Sequence, residues 1–151
     1  MLALLIAAAV AVPTAEQAAI FTAAGFSRRG SQWRTDCDQP DGDSYEPGSI
    51  ETFRDLNRDG RPEALVTEGG TYCYGNTGAG FILLTKLASG KWKLIHKSQG
   101  IAEFLPTLGV DQMPDISIGG PGFCFPVLRW NGKAYATQRF EYEGKRCNPS
   151  R

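Results

Sequence analysis

Glycine and proline divide this chain into short segments, and that division constrains its fold more than any other feature. The chain has 151 residues, of which 18 are glycine and 9 are proline, and apolar runs of strand length lie between them. Because glycine and proline interrupt helices and favour turns, few long helices can form. The sequence therefore predicts a mainly β fold: a small antiparallel, sandwich-like domain of about seven to nine short strands with one short N-terminal helix.

The predicted helix covers residues 14–26, TAEQAAIFTAAGF, where apolar side chains recur at helical spacing. Thr14 is the expected N-cap residue and Gly25 is expected to end the helix. The side chains expected to face the core are those of Ala18, Phe21 and Phe26.

Two hairpins are the clearest β signals. Apolar strands flank residues 88–90, Ala-Ser-Gly, and a second pair of strands flanks Asn131-Gly132, which favours a two-residue type I′ turn. Residues 36–49 are acidic and rich in turn residues, which predicts a solvated loop. Residues 101–109, IAEFLPTLG, are predicted to be a connecting segment.

An apolar run at residues 2–12, LALLIAAAVAV, predicts an export signal. The signal peptide is assigned to residues 1–15, with cleavage after Ala11 or Ala15, and a buried N-terminal helix is the alternative interpretation. Residues 16–151 are then one β-rich domain. No other segment is long and apolar enough to span a membrane, so we expect a periplasmic or secreted protein.

The four cysteines agree with export. Cys37, Cys73, Cys124 and Cys147 are widely spaced, without the close pairs that zinc sites usually show. Two disulfides in an oxidising compartment are therefore expected. Three connectivities are possible, and we favour Cys37–Cys73 with Cys124–Cys147 because these pairs are neighbours along the chain.

The balance of charge excludes two classes of partner. The 16 basic and 16 acidic residues give a formal net charge of +0. Nucleic-acid binding needs a basic surface that displaces counterions, and docking on an anionic membrane needs one as well. We therefore expect a protein or cell-wall partner, which the sequence does not identify.

Residues 55–63 have the spacing of a calcium loop. Oxygen-bearing side chains alternate at Asp55, Asn57 and Asp59, and Gly60 permits a sharp turn. Calcium takes six to eight oxygen ligands, so the backbone carbonyl of Arg61 and the side chain of Glu63 complete the predicted ligand set. An EF-hand would need an acid where Val66 stands. The alternative interpretation is a polar turn in which Asp55 caps a backbone amide.

Two segments of the chain are alike. RPEALVTEGGTYCYG and MPDISIGGPGFCFPV each carry Pro, an acid, an apolar run, Gly-Gly, and a cysteine before an aromatic residue. This similarity predicts two blade-like repeats, at about residues 50–98 and 109–143.

The segment DLNRDGRPEALV resembles the metal loop of the FG-GAP and VCBS-type repeats of integrin-like proteins. The resemblance implies a structural calcium ion at the loop, and it covers about half of the chain. The second copy offers only Asp111 and Asp115, so one intact and one degenerate repeat are expected. Two repeats do not close a propeller.

Other residues offer less support for catalysis. His96 is the sole histidine, so serine catalysis lacks a clear base, and no G-x-S-x-G motif is present. Four aromatic residues flank the matched cysteines and are expected to be mostly core or sheet-face residues, with an exposed aromatic surface for a protein or glycan partner as the alternative: Tyr72, Tyr74, Phe123 and Phe125. We therefore predict a non-enzymatic interaction module, and an inhibitor or immunity-type protein is one form that such a module can take. The alternatives are a small hydrolase that uses acids such as Asp41 or Asp43, and a structural component of the envelope.

Overall fold

The computed structural model describes residues 11–40 and 44–150, and within them the protein is mainly β, with 50% of residues in strands and 15% in helices. The helices are α1 (Thr14–Ala23) and the single turn α2 (Thr71–Tyr74). The strands are β1 (Ser27–Arg29), β2 (Gln32–Arg34), β3 (Glu46–Arg54), β4 (Glu63–Gly69), β5 (Ala79–Lys86), β6 (Trp92–Gln99), β7 (Ile101–Leu108), β8 (Pro114–Gly119), β9 (Phe125–Trp130), β10 (Tyr135–Tyr142) and β11 (Lys145–Arg146).

The strands form three antiparallel sheets in which every neighbour in space is also a neighbour in sequence. Strands β1 and β2 pair with each other, the central sheet has the order β3-β4-β5-β6, and the outer sheet has the order β11-β10-β9-β8-β7. Each of the two larger sheets is thus a meander that needs no crossover connection. The short, turn-rich segments of the sequence suit this arrangement because each turn has only to join adjacent strands.

The two middle strands of the central sheet, β4 and β5, are buried on both faces. Helix α1 covers one face through a cluster of Ile20, Phe21, Ala24, Phe26, Ala64, Val66, Ile82 and Leu84. The outer sheet covers the other face through a cluster of Leu65, Phe81, Leu83, Met113, Ile116, Leu128 and Tyr135. This double burial explains why nearly every residue of β4 and β5 is buried, whichever face it lies on, and why each strand holds consecutive apolar residues, at positions 64–66 and 81–84.

Two details of the predicted helix are wrong. Ala18 is exposed, whereas Ile20 and Ala24 are buried beside Phe21 and carry the contact with the central sheet. Thr14 is the first helical residue and Pro13 occupies the N-cap position without a side-chain cap. Proline favours helix starts because its φ is already helical and it has no N–H to leave unpaired.

Residues 101–109 were predicted to be a connection, but the structure places β7 there, and the acidic loop ends earlier because β3 begins at Glu46. Eleven strands exist in the described residues, against the seven to nine expected. Pro106 lies where the register of β7 against β8 is broken, between Phe104 and Leu108, and an irregular edge strand accepts a proline at such a place.

The turn at Asn131-Gly132 is not type I′. Trp130 pairs with Tyr135, so the loop holds four residues, and Gly132 alone of them has a positive φ. The side-chain oxygen of Asn131 accepts the backbone N–H groups of Lys133 and Ala134, both at 2.9 Å. This Asx turn replaces the conformation that a type I′ turn would require.

Two disulfides hold the ends of the sheets. Cys37 bonds to Cys73 and Cys124 bonds to Cys147, which are the pairs favoured from the sequence. Next to the first bridge, the buried carboxylate of Glu68 accepts hydrogen bonds from three hydroxyl groups, those of Thr35, Tyr45 and Tyr74. No helix in the described residues is long and apolar enough to cross a membrane.

Candidate metal centre

The predicted calcium loop connects β3 to β4 and is tightly curled. Arg58 and Gly60 both have left-handed backbone conformations, with φ of 61° and 86°. Two left-handed residues so close together bend the chain sharply. Alternate side chains of the loop therefore point toward one another on its concave side.

The loop brings three of the predicted ligands together. The side-chain amide of Asn57 lies 3.1 Å from Oδ1 of Asp55 and 3.1 Å from Oδ1 of Asp59. If the amide presents its nitrogen, it donates to both carboxylates. If it presents its oxygen, three side-chain oxygens lie close together, an arrangement that a bound cation would stabilise. The same three residues thus fit either a closed hydrogen-bonded loop or a calcium ion.

Backbone amides also hold the two carboxylates. Oδ2 of Asp55 accepts the N–H of Gly60 at 2.8 Å, and Oδ1 of Asp59 accepts the N–H of Arg61 at 2.8 Å. The guanidinium of Arg61 lies 3.0 Å from Oδ2 of Asp59 and also donates to the carbonyl of Lys86. These bonds orient the acids in advance, so that a cation would meet a formed site.

Glu63 is not part of this cluster. Its carboxylate is fully buried and accepts hydrogen bonds from the N–H of Leu56 and the hydroxyl of Thr85, both at 2.8 Å. Burial raises the pKa of Glu63, and the charges of Asp59 and Asp55 raise it further. The structure therefore uses Glu63 to join the loop to β4 and β5.

The cluster of Asp55, Asn57 and Asp59 carries only two negative charges. Within residues 11–40 and 44–150, no group of three His, Cys, Asp or Glu side chains is arranged to hold a metal ion. The loop presents two carboxylates and one amide, and calcium accepts all three as oxygen ligands. The residues present fit a calcium site whose remaining ligands are backbone carbonyls and water.

The second of the two similar segments, MPDISIGGPGFCFPV, lies in the outer sheet. Its acid that corresponds to Glu63 is Asp115, which forms ion pairs. Asp115 follows Pro114 as Glu63 follows Pro62, and both acids are fully buried at the start of a strand. Asp115 accepts hydrogen bonds from Thr107, Arg129 and Arg139 at 2.6 to 3.0 Å. Asp111, the other acid of this segment, is exposed in a short 3₁₀ turn.

The arginines keep Asp115 ionised. Burial alone would raise its pKa, but the hydrogen bonds from Arg129, Thr107 and Arg139 outweigh burial and lower the pKa to about 2. Arg139 also pairs with Glu141. Sequence reasoning considered Asp115 only as a metal ligand, and the basic residues that follow at β9 and β10 were the available sign of this ion-pair network.

His96 lies between the two larger sheets. Its ring is 5.8 Å from the rings of Phe81 and Tyr135, and its Nε2 is buried without a hydrogen-bond partner among the described residues. Burial lowers the pKa of His96, so the imidazole is neutral in the folded protein. This apolar position differs from that of a catalytic base, which would need a polar partner and access to a substrate.

We expect His96 to make the protein less stable in mild acid. The unfolded chain takes up a proton near the ordinary pKa of 6.5, whereas the folded protein takes it up only at a lower pH, because burial lowers the pKa of His96. The free energy of unfolding should therefore fall as the pH drops from 7 through about 6. Urea unfolding at a series of pH values measures this, and His96→Phe should remove that part of the slope. An unchanged slope in the variant would contradict the assignment.

The remaining predicted site residues lie apart from the loop. Tyr74 is buried, Phe125 is half-buried, and Tyr72 and Phe123 are exposed, with 69% and 62% of their surface accessible. Two of the four aromatic side chains are therefore at least partly buried, and the other two are exposed, as the alternative of an exposed aromatic surface requires. Asp41 and Asp43, the acids of the alternative hydrolase, lie outside the described residues.

Comparison with known proteins adds no relative: no family model, no curated protein and no solved structure matches this chain. The similarity to FG-GAP and VCBS-type repeats therefore rests on the loop residues themselves and stays a prediction.

Proposed function

We propose that this chain is an exported, disulfide-stabilised interaction module that binds one calcium ion in the loop of Asp55, Asn57 and Asp59. The ion is structural: it holds the curled loop beside the start of β4. The observation that carries this proposal is the 3.1 Å approach of the Asn57 amide to a carboxylate oxygen of each aspartate. Calcium replaces the amide nitrogen as the group that neutralises those oxygens.

Calorimetric titration with calcium chloride tests the site. We expect one ion per chain for the wild type and no binding for Asp55→Asn/Asp59→Asn, which keeps the side-chain shapes but removes both charges. The matched control is Asp36→Asn/Asp111→Asn, which removes two exposed acids that form no ion pair in the described residues. Binding that persists in the first variant would contradict the assignment of these ligands.

Asn57→Asp separates the two states of the loop. A third carboxylate removes the amide that bridges the acids, so the calcium-free variant should be less stable than the wild type. The same carboxylate adds negative charge around the ion, so calcium should bind more tightly. A loop that never holds calcium would show the loss of stability alone.

Export is the second part of the proposal. Two disulfides support an oxidising compartment. The described residues also favour cleavage after Ala11, because Gln17 donates its side-chain amide to the carbonyl of Val12 and its backbone N–H to that of Pro13. We expect mass spectrometry of the exported protein to give a chain that begins at Val12. A chain that begins at Glu16 would show that these contacts do not exist in the mature protein.

The interaction role follows from the kind of site. The calcium loop lies at the surface, and backbone amides already hold both of its carboxylates, so we assign a structural role to the ion. The partner is proposed to be a protein or a cell-wall component. An inhibitor or immunity-type role toward a secreted enzyme fits a small, cross-linked sheet. No described residue favours the alternative hydrolase.

A further inference from the structure

A cavity of about 530 Å³ lies on the face of the outer sheet that is turned away from the central sheet. Arg129 and Ala136 line it and are paired with each other across β9 and β10. Their neighbours Leu128 and Tyr135 pack in the core cluster between the sheets, so Arg129 and Ala136 project to the opposite face. Small-molecule sites in proteins have volumes of about 300 to 1,000 Å³, so this cavity has the size of such a site.

The end of β7 and the turn after it form an apolar wall of the cavity. Leu108 and Val110 line it and are 50% and 48% exposed, so about half of each residue has no cover. Gly109 holds this segment against β9, because a Cβ at that position would lie 2.5 Å from the carbonyl oxygen of Trp130. Together with the side chain of Trp130, this wall suits the apolar body of an organic molecule.

Three polar side chains of the lining have hydrogen-bond donors that remain free. The side-chain oxygen of Asn131 accepts two backbone N–H groups, and that of Gln138 accepts Nη1 of Arg139 at 2.8 Å. The amide nitrogens of Asn131 and Gln138 donate to no described residue. Arg129 donates from Nε and Nη2 to Asp115 at 3.0 and 2.8 Å, and its Nη1 has no acceptor among the described residues. The lining therefore offers a ligand three N–H groups, while its amide oxygens are already in use.

The charge of the lining is positive. Arg129 is its one charged residue, and the Asp115 that pairs with it is fully buried and does not line the cavity. Asp111 and Lys133 follow lining segments in the sequence, but they do not line the cavity either, and their charges are opposite. The hydroxyl of Thr137 can donate or accept. A carboxylate matches this set, because it only accepts hydrogen bonds and binds a guanidinium more strongly than a neutral oxygen does.

We propose that this cavity binds a small carboxylic acid with an aryl or alkyl body. The carboxylate accepts hydrogen bonds from Arg129, Asn131 and Gln138, and the body lies against Trp130 and the wall at the end of β7. A sugar fits less well, because its hydroxyl groups need acceptors as well as donors. The inference goes beyond the proposed interaction role, and it depends neither on the calcium ion nor on a protein or cell-wall partner.

The test is an NMR titration of the isotope-labelled, disulfide-bonded protein. The probes are benzoate, phenylacetate, hexanoate and octanoate, each compared with its matching alcohol. With at least one acid, the side-chain amide signals of Asn131 and Gln138 and the indole N–H signal of Trp130 should shift to saturation. That acid should bind at least about tenfold more tightly than its alcohol, because hydrogen bonds to a charged group are stronger than those to a neutral one.

Asn131→Asp tests the donors, because aspartate keeps the oxygen that accepts the two backbone N–H groups but replaces the free amide nitrogen by a negative charge. It should bind the acid at least about tenfold more weakly than the wild type does. The matched control is Asn148→Asp, since Asn148 accepts the N–H of Ser150 at 2.9 Å in a similar turn and lies outside the cavity. This control should bind the acid as the wild type does. The proposal is overturned if no acid shifts these signals to saturation, if acid and alcohol bind equally, or if the two variants bind equally.

Discussion

Replacing Asp115 by asparagine should lower the free energy of unfolding by about 3 to 5 kcal/mol, the usual cost of breaking a buried ion pair on one side. The carboxylate is fully buried and bonded to Arg129 and Arg139. Its removal leaves Arg139, whose side chain is 9% exposed, with only Glu141 as an acidic partner. Urea unfolding at pH 7 measures the loss.

Glu141→Gln is the control for this variant, because Glu141 pairs with the same Arg139 but is itself partly exposed. It should cost less than about 1 kcal/mol, as partly exposed ion pairs usually do. Equal losses for the two variants would show that Asp115 is no more important than a surface acid.

Acid should reproduce the effect of the substitution. The pKa of Asp115 is about 2 in the folded protein against an ordinary value of 3.8. The stability that this shift supplies is complete above pH 5 and is lost as the pH falls through 3.8 toward 2. It amounts to about 2.5 kcal/mol, since one pKa unit corresponds to about 1.4 kcal/mol, so acid reproduces part of the loss expected for the substitution. Asp115→Asn should lack this component of the acid sensitivity.

Removing the bridge between Cys37 and Cys73 should cost about 4 kcal/mol, and removing that between Cys124 and Cys147 slightly less. The bridges close loops with sequence separations of 36 and 23, and the longer loop restricts the unfolded chain more. The first bridge also anchors α2, from which Tyr74 donates to the buried Glu68. Its loss should therefore loosen the contact between this turn and β4.

Chemical unfolding of Cys37→Ala/Cys73→Ala and Cys124→Ala/Cys147→Ala measures these costs, with the reduced wild type as a third sample. The reduced wild type should be less stable than either variant, because it lacks both restraints. A loss below about 1 kcal/mol for the first variant would show that the bridge does little to restrict the unfolded chain.

Local patterns predicted most of the strands. The consecutive apolar residues within β4 and β5 and the turns that follow these strands are visible in the sequence itself. The helical spacing of the apolar residues in α1, which includes Phe21, is visible there as well. The errors arose where tertiary contacts decide. Ala18 was expected to face the core because helical spacing alone does not specify which side of the helix packs on the sheet. β7 was missed because its pairing with β8 at the edge of the outer sheet is a tertiary contact.

In the candidate site, too, local patterns predicted some features, and tertiary contacts decided the others. Alternating polar residues predicted the convergence of Asp55, Asn57 and Asp59, because a curled loop points alternate side chains to one side. Glu63 has the spacing of a ligand, but its burial beside Thr85 depends on how β4 pairs with β5. The ion pairs of Asp115 needed three strands to assemble, so no single stretch of sequence contained them.

Thermal unfolding with calcium and with chelator tests the central claim most directly. With calcium at about a hundred times its dissociation constant, binding should add about 2.7 kcal/mol of stability. For a chain of this length that raises the melting temperature by about 5 to 10 °C. Chelator should reverse the rise, and Asp55→Asn/Asp59→Asn should show none. A wild-type melting temperature that is the same with calcium and with chelator would contradict the calcium site.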